Sequence, residues 1–156
     1  MGRTGDMEEP PGKAAAAKIG RPTGLNIGAF RDGGVLRHLI SGAAGFIGSH
    51  LCDRLLADGG TVVAVDNLIT GSRRNLLHLA DHPRFQFFEF DVTNPVTVSG
   101  EFDGEFDHVW HLASLASPMA YLAHPIETLE SGSTATRNML EIARRAGASG
   151  EAEPHR

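Results

Sequence analysis

Apolar and polar residues alternate in blocks along the middle of the chain, and the blocks show two kinds of spacing. Four blocks are short, mostly apolar and close to turn-forming residues, which predicts buried strands; they span residues 35–41, 61–66, 84–91 and 106–114. Three other blocks place apolar residues at helical spacing; these predicted helices span residues 46–58, 72–80 and 124–148. Strands that alternate with helices in this order predict an α/β fold with a parallel sheet and right-handed crossovers.

The two ends of the chain differ in composition from the middle. Residues 1–34 are rich in Gly, Pro, Ala and charged side chains and show no sustained strand or helix pattern, so we expect a disordered leader. Residues 35–148 hold every predicted element and form the expected folded domain. Residues 149–156 are a polar tail.

Composition and charge narrow the class of function. The chain has 156 residues, of which 41% are hydrophobic, and a net charge of -5, so a core is expected and a nucleic-acid surface is not. No apolar run reaches the ~18 residues that span a bilayer, and the N-terminus is unlike a secretory signal, so we expect no membrane contact. The single cysteine, Cys52, cannot form an internal disulfide, which favours a reducing compartment and a cytoplasmic protein.

The stretch SGAAGFIGSH, residues 41–50, lies between the first predicted strand and the first predicted helix. In a dinucleotide-binding turn, Gly42 allows the tight turn, Gly45 the approach of a pyrophosphate, and Gly48 the close packing of helix on sheet. Asp66 ends the next strand 18 residues after Gly48, near the ~20 expected for a carboxylate that binds a ribose hydroxyl. The pattern predicts a dinucleotide site; the alternative is a glycine-rich turn beside an ordinary aspartate.

The charges near the second strand bear on the choice of cofactor. The Asp66 carboxylate accepts hydrogen bonds from a ribose diol and repels a 2′-phosphate, which favours NAD over NADP. Arg73 and Arg74 leave an alternative open, because guanidinium groups bind phosphate, but we expect them to be solvated at the start of a helix.

The eight histidines do not predict a metal site. His108 and His111 are three apart in a predicted strand and would lie on opposite faces of the sheet. His78 and His82 have helical spacing, but a turn is expected to begin by Asp81. We therefore assign no metal ligand.

The chain also resembles a known family. Five stretches carry the resemblance: SGAAGFIGSHLCDRLL, VVAVDNLITGSRRN, PRFQFFEFDVTNP, WHLASLASPMAYLAHPIETL and TRNMLEIARRAGA. They resemble the extended short-chain dehydrogenase/reductases (the NAD-dependent epimerase/dehydratase family), whose glycine spacing is G-x-x-G-x-x-G, and among these the UDP-glucuronate decarboxylases. The resemblance covers residues 36–148 and implies the N-terminal half of a Rossmann-like doubly wound parallel sheet, with about four strands. It also implies NAD as cofactor, a UDP-sugar as substrate partner, and a homodimer.

The resemblance assigns roles by position. It implies that the pyrophosphate lies against the glycine turn, the adenosine ribose near the second strand, the adenine near the third and the nicotinamide half after the fourth. In that order the implied cofactor residues are Gly42, Gly45, Phe46, Ile47 and Gly48; Asp66, Asn67, Ile69, Thr70 and Gly71; Asp91 and Val92; and Leu112, Ala113 and Ser114. Implied contacts to the sugar nucleotide are Ser117, Tyr121 and Glu130, although Glu130 stands where many members carry a lysine.

The catalytic Tyr-x-x-x-Lys pair of the family has no counterpart in this sequence. Tyr121 is the only tyrosine and is followed four residues later by Pro125, and the only lysines are Lys13 and Lys18. We therefore assign no catalytic residue and expect the NAD-binding portion of a nucleotide-sugar decarboxylase or dehydratase, inactive alone. The alternatives are a non-catalytic NAD-binding or partner-docking module and a non-functional truncated product.

Overall fold

The computed structural model describes residues 34–94 and 105–147. The predicted polar tail, and all of the predicted leader except Gly34, lie outside these residues. The described part is built on one sheet, and the site discussed below lies at one edge of it.

Four parallel strands form the sheet in the order β3-β2-β1-β4. Their bounds are Arg37–Ser41 for β1, Thr61–Asp66 for β2, Phe85–Glu89 for β3 and His108–His111 for β4. The predicted α/β fold with a parallel sheet of about four strands is confirmed. Three of the strands are shorter than predicted: Val35, for example, is 61% exposed and precedes β1.

The first half of the helical structure agrees with the sequence pattern. Helix α1 spans Phe46–Ala57, one residue short of the prediction, and the short helix after β2 is a 3-10 helix spanning Arg73–Leu79. Arg84, just before β3, holds the end of α1, because its guanidinium donates to the carbonyl oxygens of Gly59 at 2.8 Å and Leu56 at 3.3 Å. A cation at the C-terminal end of a helix also interacts favourably with the negative end of the helix dipole.

The long helix predicted over 124–148 is present as a continuous helical segment, but it is not α-helical throughout. It consists of α3 (Pro125–Glu130), a π-helical turn (Ser131–Ala135) and α4 (Thr136–Gly147), and a short helix α2 (Pro118–Ala123), which was not predicted, precedes it. Proline explains the break between α2 and α3, because Pro125 has no N–H to continue α2 and suits the first turn of α3. In the π turn, hydroxyl groups bond back to earlier carbonyl oxygens: Ser133 to Leu129 at 2.7 Å and Thr136 to Ser131 at 3.3 Å.

Alternate strand residues face two separate apolar clusters, as expected for a parallel sheet covered on both faces. One cluster includes Ile40 and Ala64 and packs against α1 and the 3-10 helix. The other includes Leu39 and Val63 and packs against α4. Cys52 lies in the first cluster with no exposed surface, and burial, aided by Asp53, raises its pKa to about 12. The thiol is therefore a core side chain.

Candidate dinucleotide-binding cleft

A cleft lies at the carboxyl ends of the strands, where parallel α/β sheets usually bind ligands. It encloses about 680 Å³, open solvent included. Its lining residues are Gly42, Gly45, Val65, Asp66, Asn67, Ile69, Thr70, Gly71, Phe90, Asp91, Val92, Thr93, Leu112, Ala113, Ser114, Leu115, Glu127, Glu130, Ser131 and Ala135. Twelve of the fifteen sequence-predicted cofactor residues line this cleft. The other three, Phe46, Ile47 and Gly48, form the first turn of α1.

The glycine turn is packed too closely for side chains at two of its positions. Gly42 has a φ of +74°, and a Cβ there would lie 2.5 Å from the carbonyl carbon of Leu112, after β4. A Cβ at Gly48 would lie 2.2 Å from the carbonyl oxygen of Gly42. The turn is fixed to β2 as well, because the Gly42 N–H donates to the Val65 carbonyl oxygen at 2.9 Å. The missing side chains let the chain leave β1 tightly and let α1 begin directly on top of the turn.

The start of α1 presents backbone N–H groups without a cap. Gly45 is its N-cap and has no side chain to accept from the first amides, and the first turn contains no acidic residue. The N–H groups of the first turn also lack partners within the helix, so this end is suited to an anion. Phe46 and Ile47 contribute these amides, while their side chains are 79% and 68% exposed and do not line the cleft.

Asp66 joins the two loops that border the cleft. Its Oδ2 accepts from the Ala44 N–H at 2.9 Å, in the glycine turn, and its Oδ1 accepts from the Leu68 N–H at 2.8 Å. Leu68 has a φ of 61°, an unfavourable conformation for leucine that the second hydrogen bond supports. Gly71 packs against the same carboxylate, since a Cβ there would lie 2.7 Å from Asp66 Oδ1. Asp66 remains 8% exposed and lines the cleft.

The two arginines after β2 do not line the cleft. Arg73 is paired with Glu89, the neighbour of Asp66 across β2 and β3, and its guanidinium lies 5.3 Å from the centre of the Phe87 ring. Arg74 is exposed, as expected for a solvated helix start.

The end of the cleft near β3 is held by a group of hydrogen bonds around Asp91. Its Oδ1 accepts from the backbone N–H and the hydroxyl of Thr93, at 2.9 and 2.7 Å, and its Oδ2 accepts from the Asn67 side chain at 3.1 Å. Partial burial opposes ionisation of Asp91, but these hydrogen bonds outweigh it and lower the pKa of the carboxyl group.

The other end of the cleft lies between the segment after β4 and the α3 region. His111, in β4, contacts Ser41 Oγ through Nδ1 at 2.7 Å and the Ser131 carbonyl oxygen through Nε2 at 3.3 Å. These contacts hold the π turn against the sheet. Glu130 lines this end, whereas Ser117 and Tyr121, predicted with it as substrate contacts, are exposed on the segment 117–121 and do not line the cleft.

Several lining residues were not predicted from the sequence. Thr93 and Phe90 are next to the predicted Asp91 and Val92, so adjacency was an available signal. Glu127 lies three residues from the predicted Glu130 and therefore on the same side of α3. Ser131 and Ala135 belong to the π turn, which the sequence pattern did not reveal.

Among residues 34–94 and 105–147 there is no group of three or more His, Cys, Asp or Glu side chains that could hold a metal ion. No helix within them is long and apolar enough to cross a membrane.

The sequence of the chain matches a known protein family. The sequence profile of the NAD dependent epimerase/dehydratase family matches residues 38–150. The chain belongs to this family. Among its relatives, UDP-glucuronic acid decarboxylase 2 of Arabidopsis thaliana is 41% identical over 132 residues, which cover 84% of the chain and 28% of the relative. UDP-glucuronic acid decarboxylase 1 of Danio rerio is 46% identical over 112 residues, or 72% of the chain and 25% of the relative.

The chain is also similar in structure to solved enzymes with epimerase and dehydratase names. The dTDP-glucose 4,6-dehydratase of Streptomyces venezuelae, solved with NAD bound, is 30% identical with a TM-score of 0.63 over 72% of this chain and 37% of that one. The UDP-glucose 4-epimerase of Thermus thermophilus, solved in complex with NAD, is 36% identical with a TM-score of 0.58 over 72% and 35% of the two chains. The chain thus spans roughly a quarter of the length of the decarboxylases and about a third of these structures.

Proposed function

We propose that this chain binds NAD in the cleft as the cofactor-binding portion of a UDP-glucuronate decarboxylase-like enzyme. The observation that carries the proposal is the joint geometry of the glycine turn, the uncapped start of α1 and the Asp66 carboxylate, all at one edge of the sheet. Each of these features matches a different part of a dinucleotide.

The chemistry of the residues that line the cleft supports the proposal at each part of the dinucleotide. The amides of Phe46 and Ile47 would hold the pyrophosphate, which otherwise meets no Lys, Arg or His among the described lining residues. Asp66 would accept from the ribose, since each carboxylate oxygen has a second lone pair beside its existing hydrogen bond. Asp91 and Val92 would flank the adenine, and Ala113 with its neighbours would lie along the nicotinamide half. When bound, NAD supplies a hydride acceptor.

Charge at the ribose end supports NAD rather than NADP. Asp66 and Glu89 are adjacent strand-end carboxylates, and Glu89 already holds Arg73, so this guanidinium is not available to a 2′-phosphate without breaking that pair. A phosphate at the ribose would therefore meet negative charge with little compensation.

For the complete reaction we propose a sugar nucleotide, in line with the named activities of the relatives, with Glu130, which lines the cleft, nearest to it. No tyrosine in these 156 residues is followed by a lysine four positions later, so we further propose that this chain does not convert a sugar nucleotide by itself. A cytoplasmic location and a homodimer remain predictions of the same proposal.

The test is titration calorimetry of the purified 156-residue chain with NAD, using two exposed serines as a matched pair. Ser114 lines the cleft and Ser117, three residues on, does not. We expect saturable NAD binding that Ser114→Trp weakens about tenfold or more, because the indole occupies the nicotinamide half, and that Ser117→Trp leaves unchanged. No saturable binding by a chain that melts cooperatively would contradict the proposal, and so would equal losses in the two variants.

A further inference from the structure

One side chain outside the cleft contacts three successive backbone carbonyl groups of the segment after β3, which borders the end of the cleft proposed for the adenine. Asn138, in α4, has its Nδ2 within hydrogen-bond distance of the carbonyl oxygens of Val92 at 2.8 Å, Thr93 at 3.2 Å and Asn94 at 3.0 Å, which share its two hydrogens. These three residues follow Asp91 directly, and Asn138 itself does not line the cleft. The spacing of 44 to 46 residues makes this a tertiary contact between α4 and the segment after β3.

We propose that Asn138 is a positioning residue for the adenine-binding wall, an inference that rests on the proposed binding of NAD. Three carbonyl dipoles that converge on one point repel one another unless a donor lies between them. The Asn138 amide is that donor. With the carbonyl oxygens turned toward α4, the Thr93 N–H and hydroxyl face the Asp91 carboxylate, and this carboxylate reaches Asn67 on the opposite side.

Packing and hydrogen bonding act together on this wall. The Val92 side chain is 7% exposed and lies in the same apolar cluster as Met139, the residue after Asn138. Helix α4 therefore holds the segment after β3 in two ways: it packs against the Val92 side chain, and Asn138 binds the backbone carbonyl groups of the segment. Removing the donor leaves Val92 anchored but lets the peptides of Thr93 and Asn94 rotate, and with them the groups that would meet the edge of the base.

The test compares Asn138→Leu with Ile142→Val by titration calorimetry, using NAD and its hypoxanthine analogue as probes. Leucine has a similar size and a higher helix propensity than asparagine, so α4 itself is not weakened. Ile142 is buried in the same cluster one turn later, and its trimming controls for a general loss of packing. We expect Asn138→Leu to weaken NAD binding about tenfold and to reduce the preference for NAD over the analogue, with both quantities unchanged in Ile142→Val. Asn138→Asp, which points an acceptor at the carbonyl oxygens, is expected to act in the same direction.

The outcomes separate the two claims. If the unsubstituted chain binds NAD and Asn138→Leu keeps the same affinity, the role of Asn138 is overturned and the proposed function stands. A lower affinity with an unchanged preference between the two probes indicates only general destabilisation and also overturns it. No NAD binding by the unsubstituted chain overturns the proposed function and this inference together. Melting curves recorded beside each titration establish that every variant is folded.

Discussion

At the end of β2, Asp66 serves the architecture of the cleft before any ligand arrives. The sequence spacing predicts that it contacts the ribose, while the structure shows both carboxylate oxygens accepting backbone N–H groups, one from each bordering loop. Its substitution is therefore expected to affect folding as well as binding, and a loss of NAD affinity on changing Asp66 cannot by itself prove contact with the ribose.

Asp66→Asn is expected to lower the free energy of unfolding by about 1–3 kcal/mol, because an amide NH₂ cannot accept from one of the two buried backbone donors. Urea unfolding followed by circular dichroism measures the change. Asp53→Asn is the control: Asp53 is an exposed carboxylate on α1, 2.6 Å from His78, and its loss should change stability by less than about 1 kcal/mol. Equal effects of the two substitutions would show that the backbone hydrogen bonds of Asp66 contribute little.

Residues of the cleft and of the structure that supports it were predictable where one local motif defines them. Gly42, Gly48 and Asp66 follow from strand, turn and helix signals within a short segment. Glu127 and Asn138 could not be found this way, because their positions depend on where a later helix packs. Phe46 was predicted as a pyrophosphate contact without a choice between side chain and amide; its side chain is exposed, and its amide lies at the start of α1.

At the scale of elements, strands were predicted better than the helices after β4. The β-branched run of β2 was predicted to the residue, because a continuous apolar block that follows the pair Gly59-Gly60 is a local signal. The π turn at Ser131–Ala135 arises from hydroxyl-to-carbonyl hydrogen bonds and from contact with His111, which propensity does not reveal. Helix α2 does have a local signal, Pro118 after Ser117, but it is too short for the spacing of its apolar residues to predict it.

Two helical glycines give opposite expectations for one substitution. Gly48→Ala should lower the free energy of unfolding by about 1–3 kcal/mol, because its Cβ would lie 2.2 Å from the Gly42 carbonyl oxygen, a backbone atom that cannot easily move. Gly132→Ala should raise it by about 0.5–1 kcal/mol, since a Cβ there meets no atom within 4 Å and alanine favours a helix. Denaturant unfolding of both variants gives the two signs. A gain in Gly48→Ala would contradict the close packing of α1 on the turn.

At the scale of the whole molecule, the α1 face of the sheet carries an unusual group of rings where β1 meets β4. His38 is 1% exposed, and its ring is stacked on His108 with centroids 5.1 Å apart. Nδ1 of both histidines and Nε1 of Trp110 are buried without a hydrogen-bond partner among the described residues. A buried ring nitrogen without a hydrogen-bond partner lowers the stability of the fold, and a positive charge buried at the same place lowers it further. The group therefore links the stability of the sheet to pH.

Protonation of His38 is expected to destabilise the fold below about pH 6.5. Burial lowers the pKa of His38, the neighbouring His108 lowers it further, and Asp107 opposes the shift. Because the folded pKa lies below the unfolded value, the unfolded chain binds more protons in this range, so stability is complete above the unfolded pKa and falls as pH drops through it. Asp91, whose pKa is lowered, stays ionised between about pH 7.5 and 5.5 and does not contribute to this slope.

We expect the melting temperature to fall between about pH 7.5 and 5.5, and to fall less in His38→Leu, because leucine cannot be protonated. His50→Leu, at an exposed position on α1, should retain the full slope. If His38→Leu retains it as well, the pH dependence arises elsewhere, and the buried ring pair is tolerated in both charge states.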